Sequence, residues 1–206
     1  MVVLSEKYPI DAPITHRTRH IPLTARPMDF IYFCFFASHL TASLVIDLQW
    51  LYPRSLVPGP MRALLEYYIK FSNDPLIGAL AGMKDSSSLT WFKTFITLEG
   101  IFQIPVFIVG LGALWHGCKK IYPLLLIYAA SSATTTLPCI IYLFSLPRPI
   151  AQTTIFEHAI TYEQLMILLL GYVSFFIVPF IMVFDFGNRV YKLILKGLEA
   201  EDQKLD

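Results

Sequence analysis

The sequence predicts an all-α membrane protein, a four transmembrane helix bundle with a short interfacial helix in the first loop. Two features predict it. Hydrophobic residues make up 55% of the chain and charged residues 15%, with a mean hydropathy of +0.57, which is more apolar than a soluble domain allows. The apolar residues also gather into stretches long enough, at 1.5 Å per helical residue, to cross a hydrocarbon core of about 30 Å. A chain of 206 residues that builds four spans has room for one membrane domain and for no soluble domain of ordinary size.

The first stretch covers 30–51 and carries Asp47 near one end; the second, 91–115, holds Glu99 and Gln103; the third is 122–146 and the fourth 165–184. The organisation expected is a cytosolic N-terminal tail over 1–27, a membrane domain over 28–191 and a cytosolic C-terminal tail over 192–206. The first 27 residues are polar, contain Pro9, Pro13, Pro22 and Pro27, and precede an apolar run too long for a cleaved signal. The first span is therefore expected to stay as a signal anchor.

Four spans leave both chain ends on one side. Lys7, Arg17, Arg19 and Arg26, then Lys119 and Lys120, then Arg189, Lys192 and Lys196 flank that side, against Arg148 alone in the short loop opposite. Arg54, Arg62, Lys70 and Lys84 lie in the long first loop, where basic residues count less, and Glu66, Asp74 and Asp85 dilute them. The positive-inside rule then predicts cytosolic termini.

Within the first loop Met61, Leu64, Leu65 and Tyr68 recur at helical spacing, with Arg62, Glu66 and Lys70 on the other face. Glu66 four residues before Lys70 is the favourable order for an ion pair. The segment reads either as a helix lying on the headgroups or as a lid over a cavity. Asp74-Pro75 ends it, and 78–88 reads as a flexible link. Pro105, Pro138 and Pro179 each fall within a span, where a missing N–H and a ring clash bend the helix. Ser131, Ser132, Thr134, Thr135 and Thr136 precede Pro138 and can bond back to carbonyls that the kink frees. Tyr128 and Thr135, seven residues apart, share a face that could alternatively form a pocket wall.

Composition excludes several functions. A net charge of +1 with no basic run beyond Lys119-Lys120 gives no nucleic-acid footprint. Cys34, Cys118 and Cys139 form no disulfide framework and read as small packing residues. His39 has no second ligand at metal spacing and reads as a packing or hydrogen-bonding residue. Neither a phosphate-cradling glycine loop nor a dinucleotide fingerprint is present, so no metal and no cofactor are expected.

The chemistry lies in the intramembrane acids. A carboxylate at the bilayer centre costs at least about 2.5 kcal/mol, so Asp47 and Glu99 should face the bundle interior, paired or protonated. Glu99 and Gln103 project from one helix face. Where Asp47 and Glu99 meet, like charge and desolvation leave one shared proton as the expected state. Such a pair presents one negative charge to an amine or bonds a sterol hydroxyl. The competing reading of Asp47 lets it reach water beside Gln49 and Arg54; that of Glu99 gives it a structural hydrogen bond.

Ser38-His39, Asp47-Leu48-Gln49, Pro53-Arg54, Asp74-Pro75-Leu76, Trp91-Phe92-Lys93, Glu99 with Phe102-Gln103 and Pro105, Thr134-Thr135 with Pro138, and Pro179-Phe180 form an ordered series. The series resembles the EXPERA family, in its sigma-2 receptor branch; a sterol isomerase, emopamil-binding protein, is another member. The resemblance implies an endoplasmic-reticulum protein whose cavity, open toward the membrane, binds sterol or oxysterol lipids and hydrophobic amines in sterol homeostasis. It implies that Asp47 takes the amine, that Glu99 is its partner and that ligand binding also depends on Asp74. Gln103, Tyr68, Phe92, Phe95, Ile96, Thr135 and Tyr172 fall on pocket-lining positions. Tyr67 stands where the family usually has tryptophan, Phe175 replaces a tyrosine, and the loop over 76–90 is longer.

Three functions follow. The first is a non-enzymatic receptor or lipid-binding protein. The second is a sterol double-bond isomerase using the same acids for proton transfer and carbocation stabilisation; against it, the histidine-glutamate pattern and tryptophan-rich fourth helix associated with the isomerase are missing. The third is a trafficking partner of other membrane proteins that needs no small ligand. A homodimer is compatible with each.

Overall fold

The computed structural model describes residues 21–84, 88–147 and 160–205. Most of the N-terminal tail, Arg148 of the short loop and Asp85 of the link lie outside them. The described residues are helical, without strands, and four segments are long and apolar enough to cross a membrane: Pro27–Trp50, Thr90–His116, Lys119–Ser145 and Tyr162–Lys204.

Helix α1, Pro27–Val45, starts on a proline whose missing N–H would find no partner in the first turn anyway. The first span then tightens into a 3₁₀ turn, Asp47–Trp50, so the acid sits where the helix ends. Helix α2, Gly59–Ser72, ends on Asn73 in the left-handed conformation (φ 54°). The next residue, Asp74, caps a further short helix, α3, Pro75–Leu80. This corrects the first part of the link expected over 78–88, since 78–80 are helical: a capping aspartate followed by proline starts a helix more strongly than Gly78 interrupts one. Lys84 Nζ then bonds Asn73 O at 2.8 Å and Oδ1 at 2.6 Å, its stem lying over Gly78.

The second span comprises α4, Thr90–Leu98, a π-helical turn, Glu99–Gln103, and α5, Ile104–His116. Pro105 cannot donate to a carbonyl one turn back, and the wide turn just before it absorbs that defect. Helix α6, Tyr122–Ser145, contains Pro138. Thr134, Thr135 and Thr136 bond back to the carbonyls of Ala130, Ser131 and Ser132, one turn earlier than the Thr134 carbonyl that Pro138 frees. Helix α7, Tyr162–Leu205, has 44 residues, about 66 Å of helix, and continues unbroken past the expected boundary at 191.

Rings fill the core between α1, α5, α6 and α7. Phe36 meets Tyr128 edge-on at 5.0 Å and Phe107 at 5.4 Å; Tyr32, Met182 and Phe186 complete the cluster. Gly110 lets α5 approach: a Cβ there would lie 2.6 Å from the Phe36 ring. At the end near the chain termini, Asp29 is buried and paired with both Arg26 and Arg189. Arg189 also holds Asp185 at 2.7 Å, and Arg26 donates to the carbonyls of Leu114 at 2.7 Å and Trp115 at 3.1 Å. The arginines counted for orientation thus also tie α1, α5 and α7 together. Cys34 and Cys118 are exposed, and Cys139 alone packs inside.

Gly110→Ala is expected to lower the melting temperature in detergent, overpacking against Phe36 costing about 1–3 kcal/mol. Gly112→Ala, on the same helix with nothing within 4 Å, should be neutral or stabilising by up to about 1 kcal/mol. Thermal unfolding followed by tryptophan fluorescence compares the two.

Candidate functional site

A cavity of about 130 Å³ lies within the bundle. His39 and Asp47 enter it from the first span, and Phe92, Phe95, Ile96, Glu99 and Gln103 from the second. The third span contributes Ser132, Thr135, Thr136 and Cys139; α7 contributes Gly171, Tyr172 and Phe175; α2 closes the wall with Tyr68. The π turn carries Glu99 and Gln103 on its inner side, both buried, while Ile101 between them is 74% exposed.

Helix α2 answers the choice between lid and interfacial helix with a part of each. Tyr68, Ile69 and Ser72 face inward, and Leu64, Tyr67 and Phe71 form an exposed apolar stripe of the kind that suits headgroups. Glu66 makes no ion pair with Lys70 among the described residues.

Glu99 accepts a short hydrogen bond from Ser43 on α1, and His39 Nε2 lies 3.8 Å from the same oxygen. His39 stacks on Phe175 (centroids 4.4 Å, planes 30° apart) and touches Phe107. Its Nδ1 is buried and has no hydrogen-bond partner among the described residues. Asp47 and Glu99 line one cavity, but no hydrogen bond joins the two carboxyl groups among the described residues. Ser43 takes the place next to Glu99 that the expectation of a directly shared proton would give to Asp47.

Asp74 is the one expected site residue that does not line the cavity. Its Oδ1 accepts from the N–H groups of Leu76 (2.8 Å) and Ile77 (3.1 Å) and caps α3. Its Oδ2 accepts from the hydroxyls of Tyr68 (2.7 Å) and Tyr172 (3.1 Å), which do line the cavity. Complete burial pushes its carboxyl above the usual carboxylate range, against the downward pull of these four donors. Asp74 thus reaches the cavity through two tyrosines that it positions.

Sequence reasoning read His39 as a packing or hydrogen-bonding residue and gave Ser132 and Thr136 only a backbone-bonding role, and it missed Ser43 and Gly171. A serine or glycine in a membrane helix carries no sign of which way it faces. Eight residues separate His39 from Asp47, a spacing that did signal a shared face. The alternative pocket wall is half present: Thr135 lines the cavity and Tyr128 lies in the aromatic core.

Asp74→Ala should destabilise the protein strongly, losing a cap worth about 0.5–2 kcal/mol and stranding two hydroxyls at about 1–3 kcal/mol each. Asp74→Asn keeps an acceptor for the cap and should fall between wild type and alanine. A wild-type melting temperature for the alanine variant would refute the positioning role.

Residues 60–186 match the EXPERA (EXPanded EBP superfamily) family. Sigma intracellular receptor 2 of Macaca fascicularis is 30% identical over 177 residues, covering 84% of this chain and 94% of that protein. The Homo sapiens protein of that name is 30% identical over 176 residues, covering 83% and 94%. Efficient mitochondria targeting-associated protein 19 of Schizosaccharomyces pombe is 27% identical over 177 residues, covering 84% and 81%. With four spans, a family match over more than half of its residues and relatives that align over most of its length, this multi-pass membrane chain belongs to the EXPERA family.

Proposed function

We propose that the protein is an endoplasmic-reticulum membrane receptor or lipid-binding protein, with cytosolic termini, that takes sterol-like lipids and hydrophobic cationic amines and serves sterol homeostasis. The observation that carries this reading is the convergence of two intramembrane acids with aromatic and aliphatic walls on one cavity. Among the described residues Asp47 has no cationic partner. A ligand's ammonium would supply one where the low dielectric strengthens the attraction. Ser43 holds Glu99 in place beside it, and Gln103 offers both a donor and an acceptor.

The cavity's size sets the manner of entry. About 130 Å³ approaches a void of about 150 Å³ that holds benzene, and is too small for a whole sterol. The polar end of a ligand would enter, with the apolar body lying between helices or displacing the α7 wall at Tyr172 and Phe175. Burial at about 25 cal/mol per Å² of apolar surface would then supply most of the affinity, and the ion pair would select amines. The receptor names of the relatives support binding without catalysis.

One contact favours a second reading, sterol double-bond isomerisation. Glu99 and His39, both buried, stand 3.8 Å apart, a pairing able to give a proton and take one back. Cationic amines would then mimic the carbocation.

Asp47→Asn is expected to abolish binding of a radiolabelled hydrophobic amine, an affinity loss of about a hundredfold or more, while the melting temperature holds. Wild-type affinity in that variant would refute the assignment. Incubation with unsaturated sterols, followed by mass spectrometry of double-bond position, should return the sterols unchanged; a shifted double bond that Glu99→Gln prevents would establish the isomerase instead.

A further inference from the structure

Asp47 also borders a second cavity, of about 370 Å³, on the side of the bundle away from the chain ends. This volume lies within the range of about 300–1,000 Å³ that small-molecule sites occupy. Its apolar lining comes from Val57, Leu65, Ile77, Leu80 and Met83; its charged lining is Arg54, Arg62, Glu66 and Asp47. Trp50 and Tyr52 stand in its wall, residue types that concentrate where the bilayer meets water. Arg54 and Arg62 come from separate elements, the 3₁₀ turn Arg54–Leu56 and α2. Neither guanidinium has an ion pair or hydrogen bond among the described residues.

We propose that this second cavity binds a phosphate-bearing amphiphile, the phosphate held by Arg54 and Arg62 and the apolar part lying against Leu65, Ile77, Leu80 and Met83. Two planar guanidinium forks without partners are matched to the oxygens of a phosphate. The apolar lining beside the arginines suits a ligand with an apolar part better than a hydrated ion alone. Asp47 and Glu66, the latter one turn from Arg62 on α2, line the same cavity, and a headgroup that carries an ammonium beside its phosphate satisfies both signs. A phospholipid of the surrounding leaflet has this chemistry, and Trp50, exposed in the cavity wall, is of a residue type that sits at headgroup level. The proposal stands apart from the Asp47 amine site: the two cavities share one carboxylate and differ in every cation.

The test uses purified full-length protein in a phosphate-free maltoside detergent, titrated with dihexanoylphosphatidylcholine, dihexanoylglycerol or inorganic phosphate. The expected result is saturable binding of the phospholipid, weakened by about tenfold or more in the R54Q/R62Q variant and less in R54K/R62K, with the phosphate-free glyceride binding poorly. Binding unchanged in R54Q/R62Q, or equal binding of the glyceride, would overturn the proposal. Arginine-dependent binding of inorganic phosphate as tight as that of the lipid would overturn the amphiphile in favour of a simple anion site. Amine binding in R54Q/R62Q reports the fold and the first cavity separately. Amine binding that survives Asp47→Asn while phospholipid binding stays arginine-dependent would sink the first reading alone. The single variants R54Q and R62Q, each expected to weaken phospholipid binding several-fold, carry the same test should the double variant fail to fold.

Discussion

A carboxyl group between apolar helices cannot rely on water, so whatever stabilises it must be built from the protein itself. Glu99 meets this constraint with Ser43 from the neighbouring helix and with the edge of His39. Those contacts fix where the first and second spans touch. Their contact in turn decides that Gln103, one turn along, faces inward as well. Phe36, Phe107 and Tyr128 form an aromatic cluster further along the bundle, and Gly110 lets α5 come close to Phe36 there.

The same constraint accounts for the irregular backbone beside the cavity. A π-helical turn widens the backbone, and here its inner side, Glu99 and Gln103, faces protein and a polar hollow while the apolar Ile101 covers its outer side. The turn ends one residue before Ile104, and Pro105 follows at once. The proline that would kink a regular helix is thereby moved into the start of a fresh one. On the first span, the change to a 3₁₀ turn at Asp47 does similar work: it ends the helix at the depth where two cavities meet and presents the acid between them.

The sequence made the four spans and the inward direction of Glu99 and Gln103 legible through long apolar runs, the cost of a charge in lipid and helical spacing. The pocket-wall aromatics followed only from the family resemblance, since an aromatic in an apolar span carries no sign of whether it faces a cavity or lipid. Less legible were features that depend on three-dimensional neighbours. Asp29 lies in the first turn of α1 and looks like an ordinary exposed acid, yet two arginines 163 positions apart in the chain close on it, Arg26 and Arg189. Helix α3 was hidden because Asp74-Pro75 reads equally as a stop and as a start; capping by the aspartate side chain decides between them. The extent of α7 past its apolar run was hidden too, since that run ends near Phe184 while Phe186 in the core and Arg189 on Asp29 and Asp185 hold the next turns.

The placement of Asp74 ties these features into a single device. A carboxylate buried at the start of α3 would be costly on its own, and four donors offset that cost. Two of the donors are backbone N–H groups that lock the loop, and two are hydroxyls of Tyr68 and Tyr172, on α2 and α7. The helix outside the membrane and the last span are thereby fastened to one point behind the cavity wall. A change in the loop must move the wall, and a ligand that displaces Tyr172 must strain the loop. An acid need not touch a ligand for binding to depend on it, because the shape of the site is set one layer behind the residues that line it.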